Sequence, residues 1–226
     1  QLKKLDLDFL IIIRFDKVFS SFTAEEFIKN ILYKKIRCNF LFVSKNFRFG
    51  KKRKGNINTL KQFESFYKFK TIITPPLKIY NKIISSSLIR KMIGAGKIKN
   101  VNKLLGRFWS INGKVIRGKR RGRTIGFPTC NIKMKDYIIP KIGVYSVVAE
   151  LNKLKKRGIA NLGYRPTFNG QNLLLEVNIF GINKNLYNKK ISVSFIKYIR
   201  AERKFKSLED LKKQIKVDII QAKKNV

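Results

Sequence analysis

The pattern of apolar residues changes near Gly106, and this change limits the possible folds more than any other part of the sequence. Before it, apolar runs alternate with segments of helical periodicity, a pattern typical of an α/β domain. After it, short alternating segments are separated by turn residues, which indicates a β-barrel or a sandwich. These segments cover residues 143–151, 157–163, 173–180 and 190–200. We therefore predict two domains, residues 1–105 and 106–226.

The first half of the sequence predicts strands and helices in alternation. Its apolar runs are typical of buried strands of a parallel sheet. Thr23 and Glu26 match a capping box in front of a helical stripe. The predicted strands are residues 7–15, 39–44 and 69–74, and the later predicted helices are residues 59–67, 86–93 and 98–105.

The chain ends in an amphipathic helix that needs a partner surface. Ser207 is placed as its N-cap, with Asp210 three residues later. One apolar stripe follows at helical spacing, formed by Leu208, Leu211, Ile215, Ile219 and Ala222. We expect this stripe to pack on the barrel, because it would otherwise be exposed to water.

Composition narrows the chemistry. The sequence has 52 Lys and Arg against 13 Asp and Glu, a net charge of +39, but these lysines are spread along the whole chain. A general attraction to polyanions follows, without evidence of a specific nucleic-acid patch. The absence of histidine excludes imidazole from any mechanism of this chain. Two distant cysteines without metal-type spacing predict reduced thiols in a cytoplasmic protein, and no apolar run is long enough for a membrane helix.

A glycine-punctuated basic loop lies within residues 113–131, which read GKVIRGKRRGRTIGFPTCN. Glycines let backbone N–H groups approach an anion, and arginine side chains match phosphate oxygens. In the extended segment after Pro128, Thr129 and Asn131 point to the same side and carry oxygen atoms suited to Mg²⁺. The loop therefore predicts a magnesium–nucleotide site. A basic surface loop or an RNA contact stays open as the alternative.

Glu176 is an acid in an otherwise apolar strand. It shares a strand face with Leu174 and Asn178. The water-facing side of an edge strand is one explanation of this position. The other is a general base that accepts the proton of a substrate hydroxyl attacking the γ-phosphate of ATP. In the second case, we expect Glu176 to point into the barrel mouth and to share with Thr129 and Asn131 a pocket within the closed barrel.

Four ordered motifs together resemble one family. They are residues 122–131 (GRTIGFPTCN), 161–168 (NLGYRPTF), 175–177 (LEV) and 200–205 (RAERKF). In this combination the chain is similar to the bacterial bifunctional riboflavin kinase/FMN adenylyltransferase family, also called FAD synthetase. The resemblance implies a six-stranded antiparallel barrel with a C-terminal helix in the second half. It also implies a partial, Rossmann-like nucleotidyltransferase domain of α/β type in the first half.

The resemblance also implies an activity and roles for particular residues. The activity is ATP-dependent phosphorylation of the ribityl 5′-hydroxyl of riboflavin to give FMN. Glu176 is then the base, and Thr129 and Asn131 are the Mg²⁺ ligands. The nucleotide would contact the flap and the residues after it, namely Gly118, Arg123, Gly126, Pro128 and Thr129. The flavin-side lid would consist of Glu202, Arg203 and Phe205.

The first half resembles only the later part of the adenylyltransferase domain. Residues 46–50 and the stretch containing Ser85, Ser86, Ser87 and Arg90 match the family pattern loosely. The family's His-x-Gly-His region has no counterpart, and the sequence starts at Gln1. We therefore expect an N-terminally truncated chain that phosphorylates riboflavin, and FMN adenylylation only by its full-length parent.

The expected partners follow from this activity. They are riboflavin, FMN, ATP and ADP, with neither a specific nucleic acid nor a membrane. The oligomeric state stays open. The competing hypothesis is a cationic RNA- or ribosome-binding module without catalysis.

Overall fold

The computed structural model describes residues 6–79, 82–118, 121–134, 136–167, 170–182 and 184–224. The chain forms two compact units, residues 1–83 and 84–226. The predicted domain boundary near residue 105 stays a prediction, and residues 84–105 group with the second unit.

The first unit is a small α/β assembly. Its two main strands pair in parallel, from Phe40 opposite Lys70 to Ser44 opposite Thr74. The predicted capping box is confirmed, since the Thr23 N–H donates to Glu26 Oε2 at 2.8 Å and the Glu26 N–H donates to Thr23 Oγ1 at 3.1 Å. In order, the elements are α1 (Lys17–Ser21), α2 (Ala24–Phe27), a π-helix (Ile28–Ile36), β1 (Phe40–Ser44), a 3₁₀ turn (Lys51–Arg53), α3 (Ile57–Gln62), α4 (Glu64–Tyr67), β2 (Lys70–Thr74), β3 (Lys78–Ile79) and β4 (Lys82–Ile83).

The strand predicted over residues 7–15 is wrong. These residues form no strand, and Phe9 and Ile12 are 89% and 85% exposed. An apolar run indicates what a segment could bury, but a strand also needs a neighbour for its backbone N–H and C=O groups. Among the described residues, β1 and β2 pair only with each other, so residues 7–15 have no such neighbour.

The second unit is the predicted six-stranded antiparallel barrel. Its strands follow the order β10-β5-β6-β9-β8-β7, and the pairing of β10 with β7 closes it. The C-terminal helix packs on β7, β8 and β10. The elements are α5 (Ser86–Gly94), α6 (Ile98–Leu105), β5 (Ser110–Ile116), α7 (Arg121–Thr124), β6 (Cys130–Lys133), β7 (Gly143–Leu151), β8 (Leu154–Thr167), β9 (Gly170–Ile179), β10 (Lys190–Arg200) and α8 (Leu208–Lys224).

Apolar side chains fill the barrel, and α5 and α6 extend this core. Ile93, Ile98 and Val101 from the helices belong to the same buried cluster as the barrel interior. Asn102 fastens α6 to the barrel, because its side chain donates to the Phe195 carbonyl at 2.9 Å and accepts from the Trp109 N–H at 2.8 Å. These contacts explain why residues 84–105 join the second unit.

Candidate active site

Strand pairing places one residue from each barrel strand in a continuous row, which we call the cross-strand row. Glu176 on β9 lies opposite Asn131 on β6 and opposite Asn161 on β8. Residues in register on neighbouring antiparallel strands point to the same face. The remaining pairings extend the row to Ile116, Val144 and Arg200.

The cross-strand row lies on the outer wall of the barrel. Leu175 and Val177, which flank Glu176, belong to the buried interior cluster. Because side chains alternate along a strand, Glu176 points the other way. All six residues of the row line one outer cavity of about 990 Å³, and residues of the glycine loop, of the segment after β10 and of α8 also line it. The expectation of a pocket within the barrel is therefore wrong, because interior side chains fill that space.

Thr129 and Asn131 meet Glu176 in this cavity. Thr129 is exposed, whereas Asn131 is 7% exposed and its Oδ1 is buried with no hydrogen-bond partner among the described residues. Most buried side-chain oxygens in proteins have a partner, so an orphaned one calls for an explanation. A hydroxyl beside a buried amide oxygen without a donor fits the oxygen ligands that Mg²⁺ prefers.

Two glycines of the loop allow a close fit around this pair. A Cβ on Gly118 would lie 2.0 Å from Asn131 Nδ2, and a Cβ on Gly122 would lie 2.4 Å from the Phe127 carbonyl oxygen. Any larger residue would therefore displace the loop or Asn131. Asn178 Nδ2 also donates to the Pro128 carbonyl at 2.7 Å, which ties the start of β6 to β9.

The segment after β10 covers the other side of the cavity. Glu202 is held there by Asn161, whose Nδ2 donates to Glu202 Oε1 at 2.8 Å. Arg203 lies over the Phe205 ring, with its guanidinium carbon 4.9 Å from the ring centroid. All three predicted lid residues, Glu202, Arg203 and Phe205, line the cavity.

A buried carboxylate on α8 anchors this segment. Asp218 is 1% exposed and accepts from Arg200 Nε at 2.9 Å and Nη2 at 2.7 Å. Gln214 Nε2 also donates to Asp218, at 2.7 Å, and Gln214 Oε1 accepts from Arg203 Nη2. The result is one polar chain from β10 through α8 to the lid.

The remaining predicted site residues do not line the cavity or lie outside the described residues. Arg123, Gly126 and Pro128 belong to the loop but do not line the cavity. Arg120 and Phe168 lie outside the described residues. The residues assigned to the adenylyltransferase lie away from the cavity on α5, where Ser85 Oγ caps the helix at Leu88 N, 3.2 Å away, and Ser86, Ser87 and Arg90 are exposed.

Cys130 lies beside the site but faces the interior. Its thiol is buried in the barrel cluster, and burial raises its pKa to about 11. A thiol with such a pKa stays protonated near neutral pH, so it is a poor nucleophile and a poor metal ligand. Cys130 is therefore a packing residue.

Sequence reasoning assigned no role to several residues that shape the cavity, above all Asn161, Gln214 and Asp218. One signal was available for Asp218. It stands among Ile215, Ile219 and Ala222 on the apolar side of α8, where an acid is costly unless it is paired. No local signal identified Asn161, because its role depends on a loop 41 residues later.

Comparison with known proteins agrees with the division of the sequence. The riboflavin kinase family model matches residues 105–226, and the FAD synthetase model matches residues 1–88. Three curated relatives carry the name bifunctional riboflavin kinase/FMN adenylyltransferase. The one from Buchnera aphidicola of Schizaphis graminum is 45% identical, with 96% of this chain and 71% of the relative covered. Those from Escherichia coli K12 and Bacillus subtilis 168 are each 36% identical, with 98% and 96% of this chain and 71% and 70% of the relatives covered.

A solved structure matches nearly the whole chain. It is a crystal structure from Streptococcus pneumoniae titled as a macrolide-efflux protein, with a TM-score of 0.87 and 33% identity. The match covers 98% of this chain and 72% of that one. Among the residues described in our structure, no helix has both the length and the apolar character needed to cross a membrane.

Proposed function

Because this chain belongs to the bacterial bifunctional riboflavin kinase/FMN adenylyltransferase family, we propose that it transfers the γ-phosphoryl group of ATP to the ribityl 5′-hydroxyl of riboflavin, giving FMN and ADP. One observation carries this proposal above the others. Glu176 lies in register between Asn131 and Asn161, in a cavity lined by both the glycine loop and the lid.

Glu176 acts as the general base. Its carboxylate orients the 5′-hydroxyl and accepts its proton as the oxygen attacks the γ-phosphorus. Phosphoryl transfer depends mainly on positioning and charge stabilisation, so a fixed carboxylate on a barrel strand suits it. Glu176 is held by its place between two paired strands, with buried Leu175 and Val177 on either side.

The nucleotide occupies the side of the cavity formed by the glycine loop. Its binding segment consists of Gly118, Arg123, Gly126, Pro128 and Thr129. Arg123 lies outside the cavity and contacts phosphate oxygens from there. Thr129 and Asn131 would hold Mg²⁺, which would neutralise negative charge on the phosphates. This assignment is supported by the unpartnered Oδ1 of Asn131.

Riboflavin occupies the side covered by the lid. Glu202, Arg203 and Phe205 surround it, and Phe205 offers a ring face to the flavin. The anchoring of Arg200 and Gln214 to Asp218 supports this placement, because it keeps the lid segment beside Glu176.

The direct test is an assay of the purified 226-residue chain with riboflavin, ATP and Mg²⁺, in which FMN and FAD are separated. We expect FMN to form, and we expect a chelator to stop its formation. Riboflavin without ATP serves as the control. A chain that binds RNA selectively and forms no FMN would contradict the proposal.

Gly118→Ala should weaken the side of the cavity that we propose binds the nucleotide. The added Cβ would lie 2.0 Å from Asn131 Nδ2, so Asn131 must move away from its place beside Thr129. Misplacing a binding group by about 1 Å can cost about 10²-fold in rate, so we expect kcat/KM for ATP to fall by about that factor. The measurement is steady-state kinetics with varied ATP.

Gly94→Ala is the matched control for this change, because a Cβ there meets no atom within 4 Å. Its kinetics should match those of the unaltered chain. Unaltered kinetics in Gly118→Ala would show that Asn131 does not need its present position.

The remaining assignments form part of the same proposal. The kinase domain is residues 106–226, and residues 1–105, including Ser85, Ser86, Ser87 and Arg90, belong to the adenylyltransferase part. We propose that this chain alone does not convert FMN to FAD, because it has no histidine for the family's His-x-Gly-His region, and FAD formed from FMN and ATP by this chain would overturn that assignment. A cytoplasmic location is supported by the free thiols Cys38 and Cys130. None of the relatives named above is an RNA- or ribosome-binding protein by name.

A further inference from the structure

The Asn161 side chain connects the strand next to Glu176 with the lid. Its backbone lies in register with Glu176 on one side and with Val144 on the other. Its Nδ2 donates to Glu202 Oε1 at 2.8 Å. This bond fixes which end of the carboxamide faces Glu202, because only the nitrogen can donate to a carboxylate.

Gly163 completes the place where Glu202 rests. A Cβ on Gly163 would lie 2.2 Å from Glu202 Oε1 and 2.4 Å from Oε2. Asn161 and Gly163 are two residues apart on β8, so they share one strand face. The Glu202 carboxylate therefore lies against β8, one strand away from Glu176.

The oxygen end of the carboxamide accepts no hydrogen bond from the described residues. Asn161 Oδ1 is buried and has no hydrogen-bond donor among the described residues. Buried oxygens of this kind are normally paired, and a site that supplies no donor itself gains when a ligand brings one.

The charge around this oxygen selects the kind of donor. Glu176 and Glu202 place two carboxylates beside Asn161, and neither a carboxylate nor an ionised phosphate has a proton to donate to Oδ1. A neutral hydroxyl can donate to an amide oxygen. The alcohol substrate carries such hydroxyls next to the one that is phosphorylated.

We propose that Asn161 is a substrate-binding residue, whose Oδ1 accepts a hydrogen bond from a secondary hydroxyl of the ribityl chain. This inference rests on the proposed riboflavin kinase function. Asn161 Oδ1 is buried in the free chain, so the proposal requires that substrate binding uncovers it.

The test combines a variant with altered substrates. Asn161→Ala should raise KM for riboflavin about tenfold, which corresponds to one hydrogen bond, while KM for ATP changes less than about twofold. The substrates are riboflavin and its 2′-, 3′- and 4′-deoxy analogues, all of which keep the 5′-hydroxyl. For the unaltered chain, one analogue should bind about tenfold more weakly than riboflavin. For Asn161→Ala, the same analogue and riboflavin should bind equally well.

Asn100→Ala is the control, because Asn100 is an exposed asparagine of α6 that does not line the cavity. Asn161→Asp serves if the alanine variant does not fold, because it keeps the shape of the side chain. It adds a carboxylate beside Glu176 and Glu202, so its KM for riboflavin should rise with pH between about 4 and 7 more steeply than that of the unaltered chain.

Two results would overturn the inference. The first is an unaltered chain that forms FMN, together with the same ratio of analogue affinity to riboflavin affinity in the unaltered chain and in Asn161→Ala. This result would mean that Asn161 binds no ribityl hydroxyl. An unaltered chain that forms no FMN would overturn the proposed function, and this inference with it.

Discussion

Glu176→Gln should lower kcat for riboflavin phosphorylation by about 10²–10⁴-fold, the contribution typical of a general base. Glutamine has nearly the same size, but its amide cannot accept the proton of the attacking hydroxyl. Riboflavin binding should change little, because the variant removes a proton acceptor and leaves the cavity walls in place. Steady-state kinetics gives kcat, and quenching of riboflavin fluorescence gives the affinity.

Glu150→Gln is the matched control. Glu150 is also a strand glutamate of the barrel, but its side chain is 43% exposed and pairs only loosely with Lys155, at 4.0 Å. It does not line the cavity, so kcat should be unchanged. Full turnover by Glu176→Gln would remove the base assignment, and equal losses in both variants would indicate a general effect of charge.

Asp218→Asn should lower the free energy of unfolding by about 3–5 kcal/mol, because it leaves Arg200 partly buried without its counter-ion. The side chains of Arg200 and Asp218 are 21% and 2% exposed, and their closest atoms are 2.7 Å apart. Urea unfolding followed by fluorescence measures this change. Trp109 is the only tryptophan of the sequence and lies in the barrel core, so its signal reports on this unit.

An exposed ion pair on the same helix provides the comparison. Lys213 and Glu209 lie 3.4 Å apart, with side chains 72% and 77% exposed. Glu209→Gln should therefore change the unfolding free energy by less than about 1 kcal/mol. Equal changes in unfolding free energy for the two substitutions would show that the buried ion pair contributes no more to stability than the exposed one.

Much of the second unit could be predicted from the sequence, because a strand with one buried face repeats every two residues. The strand predicted over residues 143–151 matches β7, and the cap predicted at Ser207 is present, with the Asp210 N–H donating to its Oγ at 3.1 Å. Alternation also placed Glu176 correctly on the face opposite to Leu175 and Val177.

Alternation separates the two faces of a strand, but it cannot show whether the site lies on the face inside the barrel or on the face outside it. The interior was expected to be the pocket, but Phe195, Tyr145 and their neighbours fill it. Likewise, the apolar run at residues 7–15 predicted a strand, although pairing depends on a neighbour that the pattern does not contain. The link between Asn161 and Glu202 depends on the pairing of β7 with both β8 and β10, so no local pattern could reveal it.

The cross-strand row has a consequence for how activity arises during folding. Glu176 adjoins Asn131 and Asn161 through the pairing of β9 with β6 and β8, whereas Arg200 joins the row only when β10 pairs with β7. Without the pairing of β10 with β7, Glu176 would keep its two asparagine neighbours but would lack Arg200 and the lid segment that follows β10. Recovery of enzymatic turnover after dilution from denaturant would therefore require the pairing of β10 with β7 as well as formation of the strands around Glu176.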